Sequence, residues 1–203
     1  MFNIISNLSS LALQVIDKSG YAGLFILSFL ENLAIPIPSE IIVPFSAFLA
    51  TTGRFSFTLV ILVATLGNWL GSMTLFSIAR FGGRWLLERY GRYVFIHPED
   101  IKRAEGWFHH NGPATVFWFR LVPVGRAIVS IPAGIAHMHV KRFALYTLAG
   151  SVIWNLGLGY IGYKAGEHWD VIHVYFEKFD ALIVMVIIAV VVGWILYHIK
   201  HRK

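Results

Sequence analysis

Apolar residues in this chain come in long runs, and two of those runs are interrupted by prolines and by charges. In Tyr21 to Ala50 the strongly polar residues are Glu31, Asn32 and Glu40 alone. As one straight helix these residues would extend roughly 45 Å, well beyond a hydrocarbon core of about 30 Å. Pro36, Pro38 and Pro44 also break any straight helix. The pattern predicts a re-entrant hairpin over 20–52: inward to about Leu33, an unwound turn at Ala34 to Ser39, then outward again. Non-helical backbone at membrane depth is tolerated where it is buried in protein or lines a wet cavity. Gly112 to Ile135 repeats the plan with Pro113, Pro123 and Pro132, and holds Arg120 and Arg126. A second hairpin is predicted over 112–138. Pro36, Pro38, Pro123 and Pro132 mark the two turns.

The remaining runs are simpler. Phe57 to Ala79 is 23 residues without a charge, a full membrane span. Gly67 and Gly71 fall in G-x-x-x-G spacing within it, which permits close helix packing but is common by chance. Residues 143–163, rich in glycine, and 181–199 predict two further spans. Residues 1–18 read as an amphipathic helix rather than a signal peptide, since no basic n-region precedes them. Residues 80–111 interleave aromatics with ten charges, from Arg80 to Glu105. They predict amphipathic helices at the membrane surface, with a helix start at His97-Pro98-Glu99-Asp100.

Composition places the whole in the membrane class. The chain has 203 residues, 57% hydrophobic and 14% charged, with a mean hydropathy of +0.65. A soluble domain of this size could not cover so much apolar surface. The fold class expected is a single all-α polytopic membrane domain: two oppositely oriented re-entrant hairpins in an inverted repeat, about three full spans, and surface helices. The absence of cysteine excludes a disulfide framework and a thiolate metal site.

The net charge of +6 is clustered, and it informs topology more than nucleic-acid binding. Lys200, Arg202 and Lys203 put the C-terminus in the cytoplasm by the positive-inside rule. The loop 164–180, with two lysines against two glutamates and two aspartates, is then outside. Lys141, Arg142 and the stretch 80–111 are inside. The second hairpin enters from the cytoplasm and the first from the opposite face, the inverted-repeat logic of secondary transporters.

Ionisable groups at membrane depth are functional candidates. Guanidinium stays charged and binds phosphate through a bidentate fork, so Arg120 and Arg126 are the candidate anion site. Glu31 and Glu40 flank the first turn, and burial raises a carboxylate's proton affinity. They are the candidate proton-coupling groups. Two plainer readings stand beside these: structural Arg–Glu pairs that lock the hairpins, and a helix-start role for Ser39 and Glu40. His109-His110 and His137-x-His139 lack a third ligand, so no metal or other cofactor is expected. No nucleophile–base constellation or nucleotide loop argues for an enzyme.

Two blocks resemble the DedA family, also called the SNARE-associated or VTT-domain family. One is Phe29-Leu30-Glu31-Asn32 leading to Pro36-Ile37-Pro38-Ser39-Glu40. The other is Phe119-Arg120-Leu121-Val122-Pro123-Val124-Gly125-Arg126 with Pro132-Ala133-Gly134 behind it. The likeness covers about residues 20–170. The family often has Gly where this chain has Ser39, and some members have Asp where it has Glu40. The resemblance implies lipid handling in a bacterial inner membrane: translocation of undecaprenyl phosphate or phosphatidylethanolamine, coupled to protons. It also implies that Glu31, Glu40, Arg120 and Arg126 are needed. The expected partners are membrane lipids, protons and a second copy of the chain in a homodimer, with no nucleic acid. A small-ion transporter, a passive scramblase, an intramembrane lipid phosphatase and a purely structural factor are the competing readings.

Overall fold

The computed structural model describes residues 2–33, 35, 39–83, 98–123 and 125–165. Pro36 and Pro38, the middle of the amphipathic stretch at 84–97, the acidic loop beyond Ala165, the span expected at 181–199 and the basic tail lie outside the described residues.

Among the described residues every regular element is a helix. Helix α1 (Phe2–Ser19) ends at Gly20, whose φ of 61° turns the chain into α2 (Tyr21–Glu31). Next comes α3 (Ser39–Thr51), then α4 (Phe57–Ile78), which widens into a π-helical turn at Ala79–Gly83. Helix α5 (Pro98–Arg120) is followed by the non-helical residues 121–123. Two short pieces, α6 (Gly125–Ile128) and α7 (Ser130–Ile135), lead to the long α8 (Val140–Ala165).

Two boundaries differ from the sequence expectation. Residues 80–111 and the first arm of the second hairpin are not separate elements, because α5 runs unbroken through Asn111–Gly112 and past Pro113. Pro132 does not sit at the turn either. It lies in the first turn of α7, and its missing N–H withholds a donor from the Ile128 carbonyl, which interrupts the arm at Val129. Beyond Arg120 the chain runs back along α5, since Ser130 meets Arg120 and Met138 meets Gly112.

Contacts fix the directions of the helices. Phe57 packs edge-on to Tyr163, Asn68 bonds to Asn155, and Phe76 stacks on Phe143 at 4.2 Å. Helices α4 and α8 therefore run antiparallel. Tyr21 Oη accepts from the Ser56 N–H at one end of α2, while Asn32 meets Ser72 at the other, so α2 runs parallel to α4. Helix α5 runs parallel to α8 in the same way, with Gly112 against Met138 and Arg120 against Gly150. The two halves thus run in opposite directions. Each also lends its second arm to the other: α3 lies on α8, and α7 lies on α4 and its π turn.

Glycines permit these approaches. A Cβ on Gly67 would stand 2.7 Å from the Phe25 carbonyl oxygen, and one on Gly150 would stand 2.5 Å from Arg120 Cβ. A Cβ on Gly71 or Gly162 would collide with the backbone of Phe29 or Pro44 respectively. Gly67 and Gly71 are thus filled from within the chain, by α2.

Burial runs opposite to the soluble pattern. Leu59, Leu62, Leu66, Leu70 and Ile78 are exposed on α4, whereas Thr65, Asn68 and Ser72 are buried. On α8, Leu145, Ile153, Leu156 and Ile161 face out and Thr147, Ser151 and Asn155 face in. With its π turn α4 spans 27 residues, and α8 spans 26, about 40 Å each, long enough to cross a hydrocarbon core. An apolar exterior with the polar side chains of the spans turned inward is what lipid as solvent selects. The chain is a membrane protein.

Candidate polar centre

The C-terminal ends of α2 and α5 meet inside the bundle, with the start of α6 beside them. Glu31 is the last residue of α2 and Asn32 its C-cap. These consecutive residues take one arginine each: Arg126 Nη2 pairs with Glu31 Oε1, and Arg120 Nη1 donates to Asn32 Oδ1 at 2.9 Å. All four side chains are buried, Arg120 to 1% exposure and Glu31 to 6%. Three of the four groups singled out from sequence are thus brought together, and Glu31 is the acid that faces Arg126. Glu40 is equally buried in the first turn of α3, where a helix N-terminus favours a carboxylate.

Local chain geometry aims the guanidinium groups. Arg126 Nε donates to the Pro123 carbonyl at 3.1 Å, so the proline turn itself orients the side chain that follows it. The Arg126 guanidinium lies 5.2 Å from the Trp154 ring centroid, and that of Arg120 lies 5.9 Å from the Phe143 ring centroid. Such cation–π contacts soften the cost of holding a guanidinium away from water. Arg120 Nη2 donates to Ser130 Oγ at 3.0 Å. Its Nε has no partner among the described residues. On α8, Phe143, Thr147 and Gly150 form one helical stripe. Phe143 and Gly150 both touch Arg120, so Thr147 lies on the face turned to it. Its buried hydroxyl also lacks a partner among the described residues.

From Asn32 a network of neutral groups runs across the bundle. Asn32 Nδ2 donates to Asn68 Oδ1 at 2.9 Å, Asn68 Nδ2 to Asn155 Oδ1 at 3.2 Å, and Asn155 Nδ2 to Thr65 Oγ1 at 3.1 Å. Ser72 Oγ adds a bond to Asn32 Oδ1, so that oxygen accepts from both halves of the molecule. Each amide buried in lipid must find such partners. Sequence reasoning missed Asn68, Ser72, Ser130, Thr147 and Asn155. The signal was an uncharged amide or hydroxyl inside an apolar span, weaker than the charges that drew attention.

A family model for the VTT domain matches residues 37–164, a stretch that includes Glu40, Arg120 and Arg126 and begins after Glu31 and Asn32. The chain belongs to the VTT-domain family. This VTT-domain chain is 34% identical over 200 residues to an "alkaline phosphatase-like protein" of Lactococcus lactis, covering 96% of this chain and 94% of the relative. It is 32% identical to undecaprenyl phosphate transporter A of Bacillus subtilis, over 98% of this chain and 97% of the relative. It is 31% identical to the protein of the same name in Staphylococcus aureus, over 94% and 96%. No solved structure gives a significant match.

Proposed function

We propose that this protein carries a phosphate-bearing lipid across a bacterial inner membrane and exchanges protons as it does so. The observation behind this reading is that two buried guanidinium groups converge on consecutive residues, and only one of them, Arg126, is hydrogen-bonded there to a carboxylate. Arg120 is held by neutral oxygens of Asn32 and Ser130. A phosphate would supply Arg120 with the charge partner those neutral oxygens do not provide, and its remaining oxygens would compete with Glu31 for Arg126. A proton taken up by the Glu31 carboxylate weakens that acid's hold on Arg126. Departure of the phosphate restores the pair and returns the proton. Glu40 is a second buried acid for the same exchange. The two breaks then act as re-entrant turns of an inverted repeat, each gating the centre from one face, with the C-terminus cytoplasmic and the lipid tail left in the bilayer.

Undecaprenyl phosphate is the substrate that the Bacillus and Staphylococcus relatives favour by name. The Lactococcus relative's name points to a second reading, phosphate-ester hydrolysis. Translocation of labelled undecaprenyl phosphate and phosphatidylethanolamine in proteoliposomes, with phosphate release followed in parallel, separates the two. Movement of undecaprenyl phosphate that rises with an imposed pH gradient and is lost in Arg126→Ala and Glu31→Gln is the expected result. Movement indifferent to the gradient and to Glu31→Gln would make the protein a scramblase with a structural Glu31. Released phosphate would establish the hydrolase. Normal movement in a folded Arg126→Ala protein would refute the carrier site.

A further inference from the structure

A second basic site lies away from the polar centre, at the end of the bundle where the π turn meets the α7–α8 connection. There a cleft of about 720 Å³ is walled by Arg80, His137, His139, Lys141 and Arg142, with Phe108 among the apolar side chains beneath. It shares no residue with the Arg126–Glu31 centre. Among the described residues no carboxylate lines it. Three permanent cations and two imidazoles thus converge on one concavity.

The connection that carries these groups is built rather than loose. His137 has φ 51°, a left-handed backbone that a side-chain-bearing residue adopts only under constraint. The constraint is visible: Arg80 Nη1 donates to the Met138 carbonyl at 2.8 Å, and the Met138 N–H donates to the Ala133 carbonyl at 3.1 Å. Arg80 therefore pins the turn as well as lining the cleft. The first residues of the 26-residue α8, Val140 to Arg142, form one wall, so the positive end of that helix adds to the field of the side chains. Trp107, exposed beside the cleft-lining Phe108, is the kind of residue that marks the lipid–water boundary.

A short stack of rings joins this cleft to the centre. The Arg80 guanidinium lies 6.0 Å from the Phe76 ring centroid, Phe76 stacks on Phe143, and Phe143 faces Arg120. We infer that the cleft is a docking site for a phosphate group at the membrane surface, separated from the polar centre by the Phe76–Phe143 pair. The ligand chemistry is a phosphate monoester or inorganic phosphate. The cations recognise the phosphate, and the apolar floor gives a lipid-borne phosphate an additional hold.

The test uses the full chain in phosphatidylcholine nanodiscs and measures binding of inorganic phosphate and of a short-chain phosphatidic acid. Two variants leave the polar centre intact. Lys141→Gln with Arg142→Gln removes cations, and Val140→Trp fills the cleft at an exposed position without changing charge. Loss of one or two charge-assisted contacts is expected to weaken phosphatidic acid binding about tenfold or more in the first variant. Val140→Trp should weaken it as well, which a purely topological role of Lys141 and Arg142 would not produce. Weakening of phosphatidic acid alone assigns the site to lipid, and weakening of both ligands, or of inorganic phosphate alone, assigns it to the phosphate group as such. Unchanged affinity for both ligands in both folded variants would overturn the proposal, whatever the fate of the carrier reading. Should the double variant misfold, Val140→Trp alone decides.

Discussion

The two halves of the molecule share a backbone plan and differ in the charge they bury. In the first half, α2 runs beside α4 and sets Phe29 and Asn32, the neighbour of Glu31, against Gly71 and Ser72. In the second, α5 runs beside α8 and sets Arg120 against Gly150, with Ser151 next in sequence. The same glycine–serine pair stands where each arm meets its span. What differs is the cargo of the arm, an acid and an amide in one half and two arginines in the other. A repeated frame thus provides two apposed ends of opposite charge, and the site exists only where the halves meet. Neither half alone could satisfy what it buries.

The largest effect should come from breaking that complementarity. Arg126→Ala takes from Glu31 the guanidinium it pairs with, and losing one partner of a buried pair costs about 3–5 kcal/mol. Thermal unfolding in detergent should show it as a marked drop in Tm. The double change Arg126→Leu with Glu31→Leu should recover most of that stability and none of the translocation. If the single and double variants lose equal stability, the pair is not what links the halves.

How much of this was legible in sequence follows from the same contrast. Charges in apolar runs are loud, so Glu31, Glu40, Arg120 and Arg126 stood out, as did the proline breaks beside them. The family blocks added the expectation of lipid handling. What sequence could not give was the pairing, because Glu31 and Arg126 are 95 residues apart and only the exchange of arms brings them together. The Asn32–Asn68–Asn155 network was hidden for a related reason. A neutral amide in an apolar span costs little to overlook, and its partners lie on other helices. The unbroken α5 was misjudged because Pro113 and the change from amphipathic to apolar pattern both suggested a boundary. Helical backbone tolerates both when neighbours support the freed carbonyl.

The shared frame can be tested at the matched glycines. Gly71→Leu and Gly150→Leu each press a side chain into a neighbouring arm, and overpacking of this kind costs about 1–3 kcal/mol. Gly71 should fall at the upper end, since its obstacle is the Phe29 backbone, while Gly150 meets the Arg120 side chain. Comparable losses of Tm would support the equivalence of the halves. Indifference at either position would break it. The amide network should come next, with Asn155→Leu costing about 1 kcal/mol or less, as membrane hydrogen bonds commonly do.

The halves also differ in how each arm is entered, and the second half's side of this contrast carries the smallest expected effect. In the first, α1 and α2 are separate helices joined at Gly20, with φ 61° and ψ −135°. In the second, the corresponding passage at Gly112 lies inside α5. A Cβ on Gly20 meets nothing within 4 Å, so Gly20→Ala tests backbone conformation alone. With that ψ the backbone lies outside the left-handed helical well, in territory left essentially to glycine, which costs a residue with a Cβ about 1–3 kcal/mol, and a correspondingly lowered Tm is expected. A Cβ on Gly112 would stand 3.2 Å from Met138 Sδ, a flexible neighbour that can give way. Removing a glycine from a helix interior favours the helix by about 1 kcal/mol, which offsets the crowding. Gly112→Ala should therefore leave Tm nearly unchanged. Equal indifference at the two glycines would mean that the first half does not depend on the Gly20 backbone, and that the separation of α1 from α2 is set by the packing of Ala12 and Ile16 instead.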